Sequence, residues 1–372
     1  MFSLFDIAFL KDASKKQKDK SYAPAPVIKK TEPERDINPE VREYINKYTF
    51  QWNGEGKICR ATSSLSLQNI ENGELKYYAN LSKVNDIRFL NKFFETVHKR
   101  LDKEGIFIGC VETLEKRAER IFRKFPTIIS YPYYMLDFIL KRIFPKWRVT
   151  MKIYFFITKG RNRVLSKAET LGRLMSCGFG IINTREINNL LYFVVRKEKD
   201  PCFDNHPSYG PMFKMRRIGR GGRTIYVYKL RSMHPYAEYL QEYVYKKYGT
   251  STGDKFDNDF RITFWGKFLR KLWLDELPML VNWIKGDIKL IGVRPLSKHK
   301  LSIYPKYLQE KRLKHKPGLI PPFYADLPKT QEEFFNTEEK YIDAYEKHPM
   351  ITDWKYFWKA IYNIIVKKAR SS

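Results

Sequence analysis

The apolar positions of the chain change rhythm along its length, and the rhythm divides it. From Gln51 to about Lys199 helical and strand periods alternate. A helical stretch over Asp86 to Leu101 leads through Glu104-Gly105 into an apolar strand, Ile106 to Val111, followed by a basic helix. Next the pattern predicts a strand over Lys152 to Ile157 and a helix opened by Ser166, with Glu169 three residues on as a capping box. Two strands close the region, Gly180 to Asn183 and Leu190 to Val195. Asp200 to Tyr209 is turn-rich and reads as a linker. Beyond it, Gly219 to Gly222 suits a hairpin turn between strands Met212 to Ile218 and Thr224 to Lys229. His234-Pro235 opens a helical run in which Tyr239, Leu240 and Tyr243 serve packing, and two helices follow from Thr337. In the second, capped near Thr352 or Asp353, Trp354, Phe357, Trp358, Ile361 and Ile365 form one stripe among lysines, a pattern typical of core and compatible with a membrane interface.

The densest chemistry lies between Asp259 and Pro295. Thr263 caps a helix that places Phe264, Trp265, Phe268, Leu269 and Leu272 on one face and Lys267, Arg270 and Lys271 elsewhere. Leu277, Leu280, Val281 and Ile284 recur at helical spacing, Pro278 fits a first turn, and Gly286 is a stop. A helix is therefore expected from near Asp275, with Asp275 and Glu276 at its positive end, where the dipole depresses the Asp pKa and attracts phosphate. Ile288 to Val293 reads as a strand that delivers Arg294 and Pro295 to a loop. Lys229 and Arg231 alternate onto one strand face, where they meet either solvent or an anion. An acidic pair by itself is more often a helix cap than a catalytic pair; its company is what changes the weight.

That company resembles the bacterial sugar transferases, the monotopic phosphoglycosyl transferases. Their D-x-R-I-T, Gly, Arg-rich helix, L-D-E-L-P, N, G-D and G-P-R-P run is matched by Asp259, Arg261, Ile262, Thr263, Gly266, Arg270, Leu274 to Pro278, Asn282, Gly286, Asp287, Gly292, Arg294 and Pro295. The entry motifs G-P-x-F, R-x-G and K-x-R-S-M are matched from Gly210 to Met233, and K-P-G-I/L at Lys316 to Leu319. The resemblance covers roughly Gly210 to Asp353. It departs at Val293 for Pro, Trp273 for Ser, Met279 for Gln and Ile320-Pro321-Pro322 for T-G, and in having no hydrophobic re-entrant helix directly before Gly210. The resemblance implies an α/β catalytic domain that moves a sugar-1-phosphate from a UDP-sugar to a polyprenyl phosphate through a covalent aspartate. It implies Asp275 as nucleophile, Glu276 as Mg²⁺ ligand or proton acceptor with Asp275 beside it, and Lys229, Arg231, Arg261, Arg270, Arg294 and Pro295 as substrate contacts. A carboxylate attacks a charged diphosphate only when cations neutralise the approach. No G-x-x-x-x-G-K-[ST] is present to support a P-loop route.

The strand order before Asp200 is weakly similar to the second half of a class I methyltransferase fold. No G-x-G-x-G follows an early strand, so the loop that would hold S-adenosylmethionine is missing, and the region reads as structural or docking. The expected organisation is a disordered basic arm over 1–45, whose Lys11 to Asp36 lacks periodicity, a partial Rossmann-like domain over 46–200, and a sugar transferase domain with membrane-facing amphipathic helices over 201–372.

Charge and length refine this picture. The 372 residues carry a net charge of +29 and 16% aromatics, a balance that favours an anionic membrane surface, phosphate-rich substrates or nucleic acid. No nucleic-acid motif is recognised, so nucleic acid is not expected as a partner. Cys59, Cys110, Cys177 and Cys202 form no C-x-x-C pair, which points to a reduced compartment. MFSLFDIAFL carries Asp6 and no basic start, so no signal peptide is expected. No uncharged apolar run reaches the ~18 residues of a spanning helix; the best candidate, Tyr131 to Phe144, is broken by Asp137, Lys141 and Arg142 and reads equally as a core helix or one lying in an interface. With no apolar run long enough to span and several aromatic-basic helices, peripheral or monotopic attachment at the cytoplasmic face of the bacterial inner membrane is expected. The other readings are a catalytically silent membrane-associated scaffold of glycan assembly and a basic nucleic-acid binder.

Overall fold

A computed structural model of the chain describes residues 37–52, 55–202, 209–248 and 259–367. The arm Lys11 to Asp36, the opening MFSLFDIAFL, most of the linker and the terminal Lys368 and Arg370 lie outside the described residues.

The first half is a mixed sheet of five strands: β1 (Gly56–Cys59), β2 (Leu75–Lys83), β3 (Leu101–Val111), β4 (Phe179–Ile187) and β5 (Leu190–Lys197). Its order is β1-β2-β3-β5-β4; the first three run parallel, and β5 is antiparallel to both neighbours. Period-2 alternation gives the sheet two apolar faces. Ile106, Ile108, Tyr192 and Val194 point to one core, and Phe107, Val111, Phe193 and Val195 to the other. Helix α1 (Pro39–Thr49) covers the first face with Val41, Tyr44 and Ile45, its N-terminus fixed by the Asn38 side chain accepting from Glu40 N–H at 3.0 Å. Residues 39–45, expected in the arm, are instead helical, because Val41, Tyr44 and Ile45 bury an apolar face. The second face is covered by α2 (Leu90–Arg100) and, after α3 (Leu114–Lys124), α4 (Thr127–Phe138) and α5 (Arg148–Thr158), by α6 (Lys167–Ser176).

The strand expected over Lys152 to Ile157 is instead part of α5. Its β-branched and aromatic content reads as strand, but Val149, Ile153, Phe156 and Ile157 share one helical face. Ser166 caps α6 as expected, accepting from Glu169 N–H at 3.1 Å. The capping box is half made, since the Glu169 carboxylate turns instead to Arg142, Lys146 and Arg173.

The second half begins with the hairpin β6 (Met212–Ile218) and β7 (Thr224–Leu230). After it α7 (Gln241–Tyr248) contributes Val244, and the turn before it Leu240, to the core of the first half. Gly172 of α6 lies so close to the Tyr236 carbonyl that a Cβ there would overlap it. The linker thus separates two halves that share packing. The chain continues through α8 (Phe264–Lys271), α9 (Met279–Ile284), β8 (Lys289–Ile291), α10 (Lys298–Ser302), α11 (Lys306–Lys314), β9 (Gly318–Ile320), α12 (Phe323–Asp326), α13 (Gln331–Lys347) and α14 (Pro349–Ile365). Strands β8 and β9 pair in parallel beneath a core of Ile291, Leu308, Tyr324, Tyr341 and Ile342.

Both tail helices start earlier than expected. Thr330 caps α13, accepting from Glu333 N–H, while the Glu333 carboxylate accepts from Lys329 N–H one residue before the cap, and Pro349 takes the first position of α14. The face α14 buries is Thr352, Tyr356, Ala360 and Asn363, which leaves Trp354, Trp358 and Ile365 exposed and corrects their reading as core. Among the described residues, no helix is long and apolar enough to cross a membrane.

Candidate active site

The continuous helix expected from Asp275 is broken. Pro278 has no N–H to offer the Leu274 carbonyl, which accepts instead from Leu277 N–H at 3.3 Å, so Leu274–Glu276 form a separate 3-10 turn before α9. Trp273 enters that turn at φ 62°, a left-handed conformation that costs a non-glycine residue about 1–3 kcal/mol. Its ring lies edge-on to Tyr324 at 4.3 Å between centroids, packing that holds the turn in place.

Three elements converge on this turn. Asn282 of α9 is fully buried; its Oδ1 accepts from Tyr228 N–H at 2.9 Å, and its Nδ2 donates to the Tyr226 carbonyl at 2.7 Å and to Asp287 Oδ2 at 3.1 Å. This clamp fixes α9 against β7, the strand that carries Lys229. Lys229 Nζ then reaches Glu276 Oε1 at 2.5 Å. From the other side, Gly292 and Gly318 let β8 and β9 approach so closely that a Cβ on Gly292 would stand 2.9 Å from Gly318 N. The loop after β8 brings Arg294 Nη2 to 3.8 Å from the same Glu276 oxygen. The Arg294 carbonyl accepts from Arg312 Nη2 at 2.6 Å, and Arg312 is held by Glu338 in a buried ion pair.

Beside these groups is a cleft of about 250 Å³, its polar wall made by Arg217, Lys229, Glu276, Arg294, Ser297 and Lys300 and its apolar floor by Met215, Val227, Met279, Leu319 and Phe323, with Pro295 at the edge. Asp275 is half-buried next to it. Burial pushes its carboxyl pKa up, with Lys229 and Arg270 opposing and Glu276 adding to the rise. The expected depression by a helix dipole is therefore corrected: Asp275 sits in a tight turn, and the loss of solvent outweighs its cationic neighbours. Burial also lowers the pKa of Lys229, against the pull of Glu276, and those of Arg217 and Arg270.

Lys229, Glu276, Arg294 and Pro295 come together as expected, with Asp275 beside them and Arg270 within electrostatic reach of it. Arg261 does not reach the cleft. It is 2% exposed, holds Asp259 through both nitrogens of its fork and donates to Gln241 Oε1, so it is a buried structural cation. Arg231 also diverges from Lys229: its Nε donates to the Gly210 carbonyl at 3.0 Å and its guanidinium covers Phe213, because β7 ends at Leu230 and the strand alternation stops there. Arg270 is oriented by Ser232 Oγ at 2.9 Å. Sequence reasoning missed Arg217, Ser297 and Lys300 as cleft residues. Arg217 already stood in the R-x-G motif, and Ser297, three residues before Lys300, is the N-cap of α10, accepting from Lys300 N–H at 3.1 Å.

Asp275 and Glu276 fit a magnesium ion of the kind held by one or two carboxylates plus substrate phosphates. Both offer hard oxygen donors, and only Oε1 of Glu276 is engaged by Lys229 and Arg294. Among the described residues no cluster of three or more His, Cys, Asp or Glu makes an all-protein cage.

The acidic turn, entered at left-handed Trp273, thus stands beside a cleft whose polar wall is mostly cationic. Residues 204–367 match the family model described as bacterial sugar transferase. The galactosyl transferase CpsE of Streptococcus agalactiae is 34% identical over 173 residues, 46% of this chain and 34% of that protein. The UDP-glucose:undecaprenyl-phosphate glucose-1-phosphate transferase of Xanthomonas campestris is 37% identical over 115 residues, 30% of this chain and 22% of its own length. The undecaprenyl-phosphate galactose phosphotransferase of Salmonella typhimurium is 27% identical over 229 residues, 60% of this chain and 44% of its own. The chain thus spans less than half the length of each of these relatives. A SAM-dependent methyltransferase from Thermotoga maritima superposes on 35% of this chain and 59% of its own at 11% identity, with a TM-score of 0.22.

Proposed function

We propose that this protein is a phosphoglycosyl transferase that moves a sugar-1-phosphate from a UDP-sugar to a polyprenyl phosphate, starting the assembly of an exopolysaccharide or surface glycan. The observation that carries this reading is the convergence of Lys229 and Arg294 on Glu276 beside the half-buried Asp275. An Asp275 oxygen attacks the sugar-side phosphorus of the diphosphate; the bond from that phosphorus to the bridging oxygen breaks, and UMP leaves with the oxygen and its electron pair. A phosphate oxygen of the polyprenyl phosphate then attacks the same phosphorus, and the aspartate is released as carboxylate. Lys229, Arg294, Arg217 and Lys300 neutralise the diphosphate as it enters and the charge that shifts to the leaving phosphate. Magnesium bound by Asp275 and Glu276 would supply further neutralisation of the phosphate oxygens.

The acceptor's lipid chain calls for a membrane surface, and the turn bearing Asp275 is flanked by exposed apolar groups: Phe264, Trp265 and Phe268 on α8, and Leu280, Val281 and Ile284 on α9. These amphipathic helices, with Trp354 and Trp358 of α14, support peripheral or monotopic attachment to the anionic cytoplasmic face of the inner membrane. The test is a UMP-release screen over UDP-sugars with and without polyprenyl phosphate, in Mg²⁺ or EDTA. Intact-protein mass spectrometry should show a phospho-sugar adduct on Asp275 when acceptor is omitted, and EDTA should abolish release. Absence of UMP from every donor in Mg²⁺ would overturn the reading in favour of a scaffold.

A further inference from the structure

The α4–α5 hairpin, whose first arm runs on from α4 through a π-helical stretch at Ile139–Ile143 and a 3-10 turn to Lys146 before the chain turns at extended Trp147 into α5, is built inside out. Its buried positions include Ser130, Asp137 and Arg142, whereas Ile128, Met135, Leu136, Ile153, Phe156 and Ile157 face outward. Ile128 is 88% exposed, Phe156 86% and Ile157 72%, values ordinary for a lysine. The inversion is held rigidly. Asp137 accepts from Arg117 at 2.6 and 2.9 Å and pairs with Lys141 at 2.9 Å, while Arg142 and Lys146 grip Glu169 of α6 at 2.5 and 2.6 Å. With its polar groups satisfied inward, the hairpin presents apolar side chains to whatever surrounds it.

Charge identifies the surroundings. From Arg123 to Arg161 the only carboxylate is the buried Asp137, while Arg123, Lys124, Lys152, Lys159 and Arg161 are exposed. An apolar surface ringed by cations and bearing exposed Tyr131, Tyr133 and Trp147 has the composition of an element seated at the headgroup boundary of an anionic leaflet. Neither arm has the make-up of a span: the first carries Asp137, Lys141, Arg142 and Lys146, and among the described residues no helix is long and apolar enough to cross a membrane. We propose that the α4–α5 hairpin of the first half is the principal membrane-seating element of the chain, lying in the interface of an anionic bilayer. The proposal rests on the membrane reading of the catalytic half and names a different part of the molecule as its main anchor. Through Arg142, whose Nη2 lies 3.2 Å from His234 Nδ1, the hairpin also touches the segment that leads to Ser232 and Arg270, so seating it sets the height of the catalytic cleft above the lipid.

The test is flotation of the full chain with phosphatidylglycerol-containing and pure phosphatidylcholine vesicles. Wild type is compared with Phe156→Glu/Ile157→Glu on the hairpin and Trp354→Glu/Trp358→Glu on α14, with melting curves and light scattering alongside. The hairpin pair is expected to lower binding to anionic vesicles at least tenfold with the melting temperature and UMP release in detergent unchanged; the α14 pair should lower it less. If wild type floats and the hairpin pair floats equally, the hairpin assignment falls while the membrane reading stands. Wild type that floats with neither vesicle overturns both. A wild-type dimer in detergent-free solution that the hairpin pair converts to monomer, without change in flotation, assigns the face to a second copy and overturns the proposal.

Discussion

Replacing Lys229 with Met separates the structural from the chemical role of the cleft. Lys229 and Glu276 are a buried pair, their side chains 14% and 9% exposed. Removing one partner of such a pair generally costs about 3–5 kcal/mol, because the other charge is left without its partner in a poor solvent. Arg294, already 3.8 Å from the same oxygen, takes over part of the compensation, so the expected loss for Lys229→Met is about 2–3 kcal/mol, or roughly 5–10 °C in melting temperature for a domain of this size. Glu276→Gln is milder, since Lys229, its pKa already lowered by burial, can shed its proton. The double variant removes both charges and should recover most of the loss, giving a coupling of about 1.5 kcal/mol or more. UMP release should be lost in all three, whatever their stability. Four melting curves decide it: losses in the two single variants that simply add in the double would refute the pair as a coupled buried unit.

The geometry fixes four further outcomes. Asp275→Asn should abolish UMP release, yet melt at the same or a higher temperature than wild type at pH 7. Because folding raises the Asp275 pKa, its ionisation disfavours the fold above the folded value, and the advantage of Asn should vanish below the unfolded pKa near ~3.9, as melting across pH 3–8 would reveal. The same shift places the acid limb of wild-type UMP release above the ordinary aspartate range. Gly266→Ala should cost about 3 kcal/mol, since its Cβ would overlap the Ser232 carbonyl oxygen where α8 crosses the strand exit, and a melting curve within a degree of wild type would contradict that contact. Arg294→Ala should weaken donor binding and turnover together by about 2–4 kcal/mol in kcat/KM, with the backbone held by Arg312 and the melting temperature little changed.

Features that rest on neighbouring residues were legible from the chain alone. The caps at Thr263 and Ser166, the hairpin turn at Gly219 to Gly222, the stop at Gly286 and the two-faced strand Ile106 to Val111 depend on residues a few positions apart, and each stands where its local chemistry put it. The motif residues also announced Lys229, Glu276 and Arg294 as partners of one site. Burial and long-range pairing belonged to the tertiary structure. Lys229 and Glu276 lie 47 positions apart, and only the Asn282 clamp and the Gly292–Gly318 approach bring β7, the acidic turn and the Arg294 loop together. Arg261 and Arg294 look alike as motif arginines, yet Asp259 closes around one while the other opens on the cleft. The stretch Tyr131 to Phe144 makes the same point: its composition left core and interface equally open, and only the long-range pairs with Arg117 and Glu169 show its charges drawn inward and its apolar side chains turned out. Periodicity records which residues share a face of an element; which way that face turns depends on the charges and packing of partners far along the chain.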